Sequence, residues 1–118
     1  MSHPVLEFQI LSSKPDETAE FYSQLFGWSV NSANAMNYRR IQTGSTEGIQ
    51  GGIWPAPPEA GSFVQLFIGV ENVAASVQTA TGLGARVLIP PTPLPEGGEL
   101  AVLRDPTGVS FGVYRGRS

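Results

Sequence analysis

The chain has 118 residues, the length of one ordinary domain, and its 41% apolar composition is typical of a globular protein. It has no cysteine, which excludes disulfides, thiolate catalysis and cysteine-based zinc sites. The net charge is −3, from 7 basic and 10 acidic residues, and the arginines are too sparse for a nucleic-acid-binding stripe. The sequence has no apolar run near the roughly 20 residues of a membrane span, and its start does not resemble a signal peptide. We therefore expect a cytoplasmic protein whose partners include neither nucleic acid nor membrane.

The first half of the chain predicts a strand, a helix and three further strands. Apolar and polar residues alternate over Val5 to Leu11, which is typical of a strand. Pro15 suits a first helical turn, apolar residues follow at helical spacing, and Gly27 provides a stop. The remaining strands are predicted at residues 28–33, 38–43 and 49–54, with turns at Asn34–Asn37 and Gly44–Gly48 between them. Four aromatic residues are assigned to the core: Phe21, Tyr22, Phe26 and Trp28.

Two consecutive glycines interrupt the last of these strands. Gly51 and Gly52 indicate either a bulge or a close approach of backbone or ligand. Because glycine has no side chain, the pair is expected to leave room beside Trp54.

The second half begins after the proline-rich linker Pro55 to Gly61 and predicts the same order of elements. A strand from Phe63 to Val70 precedes a helix that Asn72 caps. The helix presents Val73, Val77 and Ala80 on one face, and three strands follow at residues 86–89, 99–104 and 110–114. Residues 90–98 are too rich in proline for a helix or a central strand, and we interpret them as a loop that is either a lid or a connector. Asp105 to Gly108 has the composition of a tight turn.

A shift of 57 or 58 residues lays the second half on the first. Glu7 to Ile10 then falls on Gln65 to Ile68, and Phe26 to Val30 falls on Leu83 to Val87. Identity is weak, so the shared order of elements carries the interpretation. We expect one domain over residues 1–118, with module one at about 3–58 and module two at about 62–116.

The chain resembles the vicinal oxygen chelate superfamily, which includes glyoxalase I, bleomycin-resistance proteins and extradiol dioxygenases. The resemblance covers residues 5–115 and depends on the order and spacing of several short motifs, since none is specific alone. It implies an α+β fold in which two βαβββ modules form a curved mixed sheet around a pocket, and it implies a homodimer. The motifs are Phe21-Tyr22 with Leu25-Phe26-Gly27-Trp28, Gly51-Gly52-Ile53, Val70-Glu-Asn-Val73, Leu83-Gly84 and Asp105-Pro-Thr-Gly108.

Metal-dependent members of the superfamily carry one ligand on the first and last strand of each module. The resemblance places these positions at Glu7, at Gln65, at Gly51 or Gly52, and at Gly112. Two of the four are therefore glycines without a side-chain donor, and His3, the sole histidine, matches none of them. We expect no metal centre and no other cofactor.

Glu7 is the candidate catalytic residue. The resemblance directs its side chain into the pocket, where a carboxyl group with a raised pKa can serve as a general acid or base. The alternative is an ion pair with an arginine or a solvated position at the rim; the arginines considered are Arg39, Arg40 and Arg104.

The remaining candidates are expected to bind a ligand. Gln65 either orients a ligand or satisfies a backbone group, and Trp54 either stacks on a planar ligand or packs at the module junction. Gln9 and Phe67 are included by strand alternation with Glu7 and Gln65, and Tyr114 by alternation with Gly112.

Three functions remain open. The first is a metal-free protein that binds a small organic molecule. The second is an enzyme, lyase- or dioxygenase-like by family, that uses Glu7 as a general acid or base on a small carbonyl or aromatic compound. The third is a structural or regulatory dimerisation module.

Overall fold

The computed structural model describes residues 2–32, 38–95 and 97–116. Within these ranges the chain forms two helices and eight strands, in the order strand, helix, three strands, repeated once. The predicted turn at Asn34–Asn37 lies outside the described residues. The elements are β1 (Val5–Ser12), α1 (Pro15–Phe26), β2 (Ser29–Asn31), β3 (Arg39–Gln42), β4 (Gln50–Pro55), β5 (Phe63–Gly69), α2 (Val73–Gly82), β6 (Arg86–Pro93), β7 (Glu99–Arg104) and β8 (Ser110–Arg115).

Strand pairing repeats together with the order of elements. In the first half β1 pairs in parallel with β4, and β3 lies antiparallel between β2 and β4. In the second half β5 pairs in parallel with β8, and β7 lies antiparallel between β6 and β8. The strand orders are β2-β3-β4-β1 and β6-β7-β8-β5. The predicted α+β class, with two βαβββ modules and mixed strand pairing, is confirmed.

The chain divides into two compact units whose boundaries cut through β1 and β5. One unit, called the first unit below, is Glu7–Gln65, and the second unit contains the residues up to Leu6 together with those from Leu66 onward. In the second unit the N-terminal segment is held by Gly69, whose N–H donates to Pro4 O at 2.8 Å. The exposed His3 bonds the Gly69 carbonyl through Nδ1 at 3.3 Å.

Helix α1 begins and ends where the sequence predicts, and α2 begins there. Pro15 opens α1, and Gly27, at φ 71°, closes it by donating its N–H to Ser23 O at 2.8 Å. Asn72 caps α2 through its side-chain oxygen, which accepts from Ala75 N at 2.9 Å.

The two helices differ in what they bury. Val73 and Val77 of α2 are buried in the core of the second unit, against Ala101, Leu103 and Val113. No residue of α1 is fully buried, and Phe21 and Phe26 are each 58% exposed. The assignment of these two rings to the core was therefore wrong.

Small residues decide which face of α1 is covered. The partly buried positions of the helix have the i, i+3, i+4 spacing of a single face: Pro15, Thr18, Ala19, Tyr22 and Ser23. Phe21, Leu25 and Phe26 lie outside that face and are exposed. Tyr22 stacks on Trp28 at 5.5 Å between ring centroids, and Phe26 contacts Trp28 at 5.3 Å. Tyr22 and Trp28 are only partly buried, so their assignment to the core was also wrong.

Strand β6 extends further than predicted, because it continues through Pro93. The expected loop at residues 90–98 was therefore wrong over its first four residues. Among the described strands β6 is an edge strand that pairs with β7 alone, and its register shifts twice along the pairing. An edge strand tolerates proline, since one side of it needs no N–H donors. A short turn follows, in which Gly97 N donates to Leu94 O at 3.0 Å.

Asp105 has a structural role in the turn between β7 and β8, which accounts for this residue without a catalytic role. Its Oδ1 accepts from Thr107 N at 2.8 Å and from Val109 N at 3.0 Å, and Gly108 has φ 101°. Hydrogen bonds from Thr107 and Val109 lower the pKa of Asp105, although burial partly opposes them. The turn prediction is confirmed.

Candidate functional site

One side of the sheet in the first unit gathers polar and aromatic side chains. Glu7 and Gln9 alternate along β1 onto the same side, and Gln9 pairs in register with Gly52 of β4. Arg40 of β3 pairs with the same glycine from the other edge of β4. We call this surface the Glu7 face and define it by five residues: Glu7, Gln9, Tyr38, Trp54 and Gln65.

Hydrogen bonds connect four of the five residues. Gln65, which is 5% exposed, donates from Nε2 to Gln9 Oε1 at 2.6 Å. The Gln9 side chain also bonds the Tyr38 hydroxyl. Tyr38 Oη in turn donates to Glu7 Oε1 at 3.4 Å, a long bond beside the usual value of about 2.8 Å. The Glu7 face is thus a connected network and not a set of separate groups.

Both acidic groups of the network ionise less readily than they would in water. Burial raises the pKa of Glu7, although the charge of Arg40 and the hydrogen bond from Tyr38 partly oppose the rise. Burial, and next the neighbouring Glu7 charge, raise the pKa of Tyr38 well above its usual range. Tyr38 is therefore a phenol at physiological pH, and Glu7 ionises less readily than a solvated glutamate.

Tyr38 occupies the space that the glycine pair was expected to leave open. A Cβ atom on Gly52 would overlap the Tyr38 hydroxyl, and one on Gly51 would overlap Phe8. The expectation of empty room beside Trp54 was therefore wrong. Of the two meanings given to the glycine pair, close approach is the correct one, and the groups that approach belong to the protein.

Trp54 forms the aromatic edge of the Glu7 face. Its ring lies 5.5 Å from the Tyr38 ring, centroid to centroid, at an interplanar angle of 54°. The indole is only partly buried. A tilted pair of this kind leaves ring surface that a planar molecule can contact.

The structure brings Glu7, Gln9, Trp54 and Gln65 together in the first unit. Phe67 and Tyr114, predicted with them, belong to the second unit. Phe67 is 4% exposed, and its ring lies where a Cβ atom of Gly112 would be. Tyr114 is partly buried and pairs across the strands with Leu100.

Tyr38 is the residue that sequence reasoning missed. It was interpreted only as the start of a strand, because neither a motif nor alternation along β1 points to it. The information that would have located Tyr38 at the site is the register of β3 against β4, which is known only once the two strands are paired. Tyr38 lies two residues before Arg40, and Arg40 pairs with Gly52.

Of the arginines considered as partners of Glu7, Arg40 lowers its pKa from β3, which β4 separates from β1 in the sheet. Arg39 forms an ion pair with Asp16 instead, at 2.7 Å from Nη2 to Oδ1. Arg104 is exposed in the second unit.

The four positions that bear metal ligands elsewhere in the superfamily do not fit a metal centre here. Glu7 and Gln65 supply oxygen atoms, but both side chains are held in the network just described. Tyr38 covers Gly52 and Phe67 covers Gly112. Across residues 2–32, 38–95 and 97–116 no group of three His, Asp or Glu side chains could hold a metal ion. Divalent sites generally need three or four protein ligands.

Two grooves of the first unit are lined by other residues. One of about 350 Å³ lies beside the Asp16–Arg39 ion pair, between α1 and β2. The other, of about 510 Å³, lies between the start of α1, the end of β1 and Ser62–Val64. Neither is lined by a residue of the Glu7 face. No helix among the described residues is long and apolar enough to cross a membrane.

Comparisons with known proteins agree with the fold. A hypothetical protein from Bacillus halodurans superposes with a TM-score of 0.71 at 14% identity, over 100% of this chain and 97% of that one. Methylmalonyl-CoA epimerase from Streptomyces coelicolor superposes with a TM-score of 0.65 at 19% identity, over 97% of each chain. At these identities the superpositions show a shared fold.

Sequence relatives extend the likeness beyond the fold. The protein named "Putative glyoxylase CFP32" in Mycobacterium bovis and in Mycobacterium tuberculosis is 30% identical over 110 residues, which is 91% of this chain. The chain spans 42% of the length of these curated relatives. The model of the glyoxalase-like domain matches residues 7–114, nearly the whole sequence. The resemblance to the vicinal oxygen chelate superfamily is confirmed, and the chain belongs to the glyoxalase-like domain family.

Proposed function

We propose that the chain binds a small organic molecule on the Glu7 face without a metal ion. The observation that carries this proposal is a set of contacts on one side of the sheet in the first unit. The Tyr38 hydroxyl bonds the Glu7 carboxyl group, and the Tyr38 ring contacts the Trp54 indole. Trp54 offers ring surface for a planar molecule, while Glu7 and Tyr38 offer polar atoms that fix its orientation. Sites for small molecules typically combine apolar or aromatic walls with a few such polar groups.

A thermal-shift screen of small aromatic and carbonyl compounds tests the proposal. A compound that binds only the native state raises the unfolding temperature, by an amount that grows with the logarithm of its concentration over its Kd. We expect the shift to disappear in Trp54→Leu and to persist in Trp28→Leu. The second variant is the matched control, since Trp28 lies in the aromatic cluster of α1. Shifts lost equally in both variants would contradict the proposal.

A second candidate function is proton transfer with Glu7 as the general acid or base. Two observations favour it: burial raises the pKa of Glu7, and the mycobacterial relatives are named as glyoxylases. A carboxyl group whose pKa approaches the working pH exchanges protons more effectively than an ordinary glutamate. The substrate class is a small carbonyl compound with an acidic C–H bond beside the carbonyl group.

The test follows deuterium from solvent D₂O into compounds that the thermal-shift screen identifies. We expect incorporation beside the carbonyl group with the wild type, and none with Glu7→Gln despite retained binding. Glu59→Gln removes an exposed carboxylate of the linker and serves as the control. A screen without any binding compound would instead favour the structural or regulatory module.

We also propose that the chain forms a homodimer. The support is the apolar surface that α1 leaves uncovered, where Phe21 is 58%, Leu25 57% and Phe26 58% exposed. Light scattering after size exclusion should give the mass of a dimer for the wild type and of a monomer for Leu25→Lys. Leu83→Lys introduces the same charge at a leucine that is 75% exposed outside this surface, and it should remain dimeric. A monomeric wild type would contradict the proposal.

A further inference from the structure

Two adjacent arginines of β3 point to opposite sides of the sheet in the first unit. Successive residues of a strand alternate between its faces, so the side chains of Arg39 and Arg40 diverge. Arg39 forms the ion pair with Asp16 of α1, at 2.7 Å from Nη2 to Oδ1, and therefore points to the helix side. Arg40 pairs in register with Gly52, which also pairs with Gln9, so Arg40 points to the side of the Glu7 face.

The charge of Arg40, unlike that of Arg39, has no partner among the described residues. A guanidinium group carries five N–H donors in a planar fork. Across residues 2–32, 38–95 and 97–116, no carboxylate lies within ion-pair distance of Arg40, and none of its side-chain N–H groups donates a hydrogen bond. The side chain is exposed, so these donors are open to a ligand.

The charge of Arg40 reaches the Glu7 face without lying against Glu7. Burial raises the pKa of Glu7 and of Tyr38, and the Arg40 charge partly opposes the rise at both groups. Because β4 separates β1 from β3, the backbones that carry Glu7 and Arg40 are two strand spacings apart, about 10 Å. Tyr38 lies over Gly52 of the intervening strand. An anion on the guanidinium group therefore need not contact the Glu7 carboxylate.

The indole of Trp54 lies next to Arg40 on the same face. Arg40 pairs with Gly52, and Trp54 follows two residues later on β4, so Arg40 and Trp54 are diagonal neighbours. Diagonal neighbours lie about 7 to 8 Å apart, which is within reach of aromatic and long side chains. A substituent on a ring that contacts Trp54 can therefore reach the guanidinium group.

From this placement we infer that Arg40 is a specificity-determining residue of the Glu7 face and selects planar aromatic molecules that carry a carboxylate. The inference rests on the proposed binding function and specifies its ligand class. The ring contacts Trp54, and the carboxylate pairs with Arg40. The guanidinium fork matches a carboxylate with two parallel N–H···O bonds, which are stronger than bonds between neutral groups.

The experiment compares 2-naphthoate with 2-naphthamide, a neutral compound of nearly the same size and shape. Each is titrated at about pH 8, well above the ordinary pKa of a carboxyl group, while NMR follows the indole N–H signals of the two tryptophans. Trp54 reports on the Glu7 face, and Trp28 is the internal control within the same molecule.

Arg39→Gln is the matched control for Arg40→Gln. It removes the same charge from the adjacent residue, on the opposite side of the sheet. It breaks an ion pair whose aspartate, Asp16, is 88% exposed, and such a pair contributes little to stability.

We expect 2-naphthoate to shift the Trp54 signal of the wild type with a Kd about fivefold lower than that of 2-naphthamide, the value of one well-aligned ion pair at an exposed site. Arg40→Gln should bring the two Kd values together, chiefly by weakening the naphthoate, and Arg39→Gln should keep their ratio. Added sodium chloride should weaken the naphthoate and leave the naphthamide unchanged, because salt screens an exposed charge.

Equal Kd values of the two compounds for the wild type, measured at Trp54, would overturn the inference and leave the proposed binding face intact. A preference that Arg39→Gln removes as fully as Arg40→Gln would also overturn it, because the net charge and not Arg40 would then be responsible. If neither compound moves the Trp54 signal of the wild type, the binding face itself is wrong, and the inference falls with it.

Discussion

Equivalent strand pairs in the two halves of the chain carry different side chains at one matching position. In the first half Gln9 of β1 pairs with Gly52 of β4, and in the second half Phe67 of β5 pairs with Gly112 of β8. Gln9 and Phe67 are separated by the 58-residue shift of the repeat. Both glycines lie beneath an aromatic ring, but Phe67 covers Gly112 from the paired position itself, whereas Tyr38 covers Gly52 from the position just before β3.

This difference shows how two modules with the same strand arrangement can differ in their side chains, so that only one of them holds a polar site. A phenylalanine at the paired position fills the space above the glycine and makes a closed apolar contact. A glutamine at the same position does not fill it; Tyr38, just before β3, lies over the glycine instead, and the two side chains then hydrogen-bond. The position equivalent to Tyr38 in the second half is Leu100, two residues before Val102, which pairs with Gly112.

Exchanging the paired residues should give the largest effect. Phe67→Gln places an amide among apolar groups at a position that is 4% exposed. We expect it to lower the free energy of unfolding by about 4 kcal/mol, from lost burial and an unpaired amide. Gln9→Leu, which removes the amide at the equivalent position of the first half, should cost about 1 kcal/mol, because Gln65 loses one acceptor. Urea titration of both variants measures the contrast, and equal losses would show that the two halves do not differ in this way.

Replacing each covered glycine by alanine should distinguish the buried contact at Gly112 from the partly exposed contact at Gly52. Gly112→Ala forces the buried Phe67 ring to move and should cost about 2 to 3 kcal/mol. Gly52→Ala should cost less, since Tyr38 is only partly buried and can turn outward, but it should abolish ligand binding. Gly82→Ala is the control, because nothing lies within 4 Å of its added carbon and alanine favours the helix. A larger loss for Gly52→Ala than for Gly112→Ala would reverse the comparison.

The helices also differ in burial, because α2 has buried side chains and α1 has none that are fully buried. Val73→Ala removes apolar surface that is fully buried and should cost about 2 kcal/mol. Leu25→Ala removes more atoms from a side chain that is 57% exposed, and it should change the unfolding free energy of the monomer by no more than about 0.5 kcal/mol. Measurement at low protein concentration keeps assembly from contributing. A loss at Leu25 equal to that at Val73 would mean that α1 is packed as tightly as α2.

Local chemistry was sufficient to predict most of the fold from the sequence. Pro15, Gly27 and Asn72 mark helix ends through rules that act within one turn, and the structure confirms all three. The failures arise where burial depends on distant partners. The aromatic residues of α1 were assigned to the core by residue type, but the smaller Thr18 and Ala19 share the covered face. The prolines of β6 were excluded from a strand because its edge position was not visible in the sequence.

The candidate site was only partly predictable for the same reason. Alternation along one strand placed Glu7 and Gln9 together, and the repeat added Gln65. Tyr38 lies 31 residues from Glu7 in the chain, and only the pairing of β3 with β4 brings them together. The glycine pair did signal a close approach, but the approaching ring has no signature in the sequence.

The smallest expected effect is the pH dependence of the unfolding free energy that arises from Glu7 in the first unit. Burial raises the pKa of Glu7 in the folded chain, so ionisation costs more there than in the unfolded chain. Below the unfolded pKa both states are protonated and Glu7 contributes nothing to the pH dependence. As the pH rises through the interval between the unfolded and the raised pKa, the folded state loses stability. Arg40 and the Tyr38 hydroxyl reduce this loss without reversing it, because burial is the largest cause of the shift.

Glu7→Gln should remove this dependence, because an amide does not ionise. Thermal unfolding of the wild type and the variant over the acid-to-neutral range should show a difference that grows in favour of the variant as the pH rises. Gln65→Glu places a carboxylate at the equivalent position of the repeat, at 5% exposure, and should add a further dependence of the same sign. If the wild type instead gained stability over Glu7→Gln with rising pH, then Arg40 and Tyr38 would outweigh burial, and the Glu7 carboxylate would be a stabilising charge.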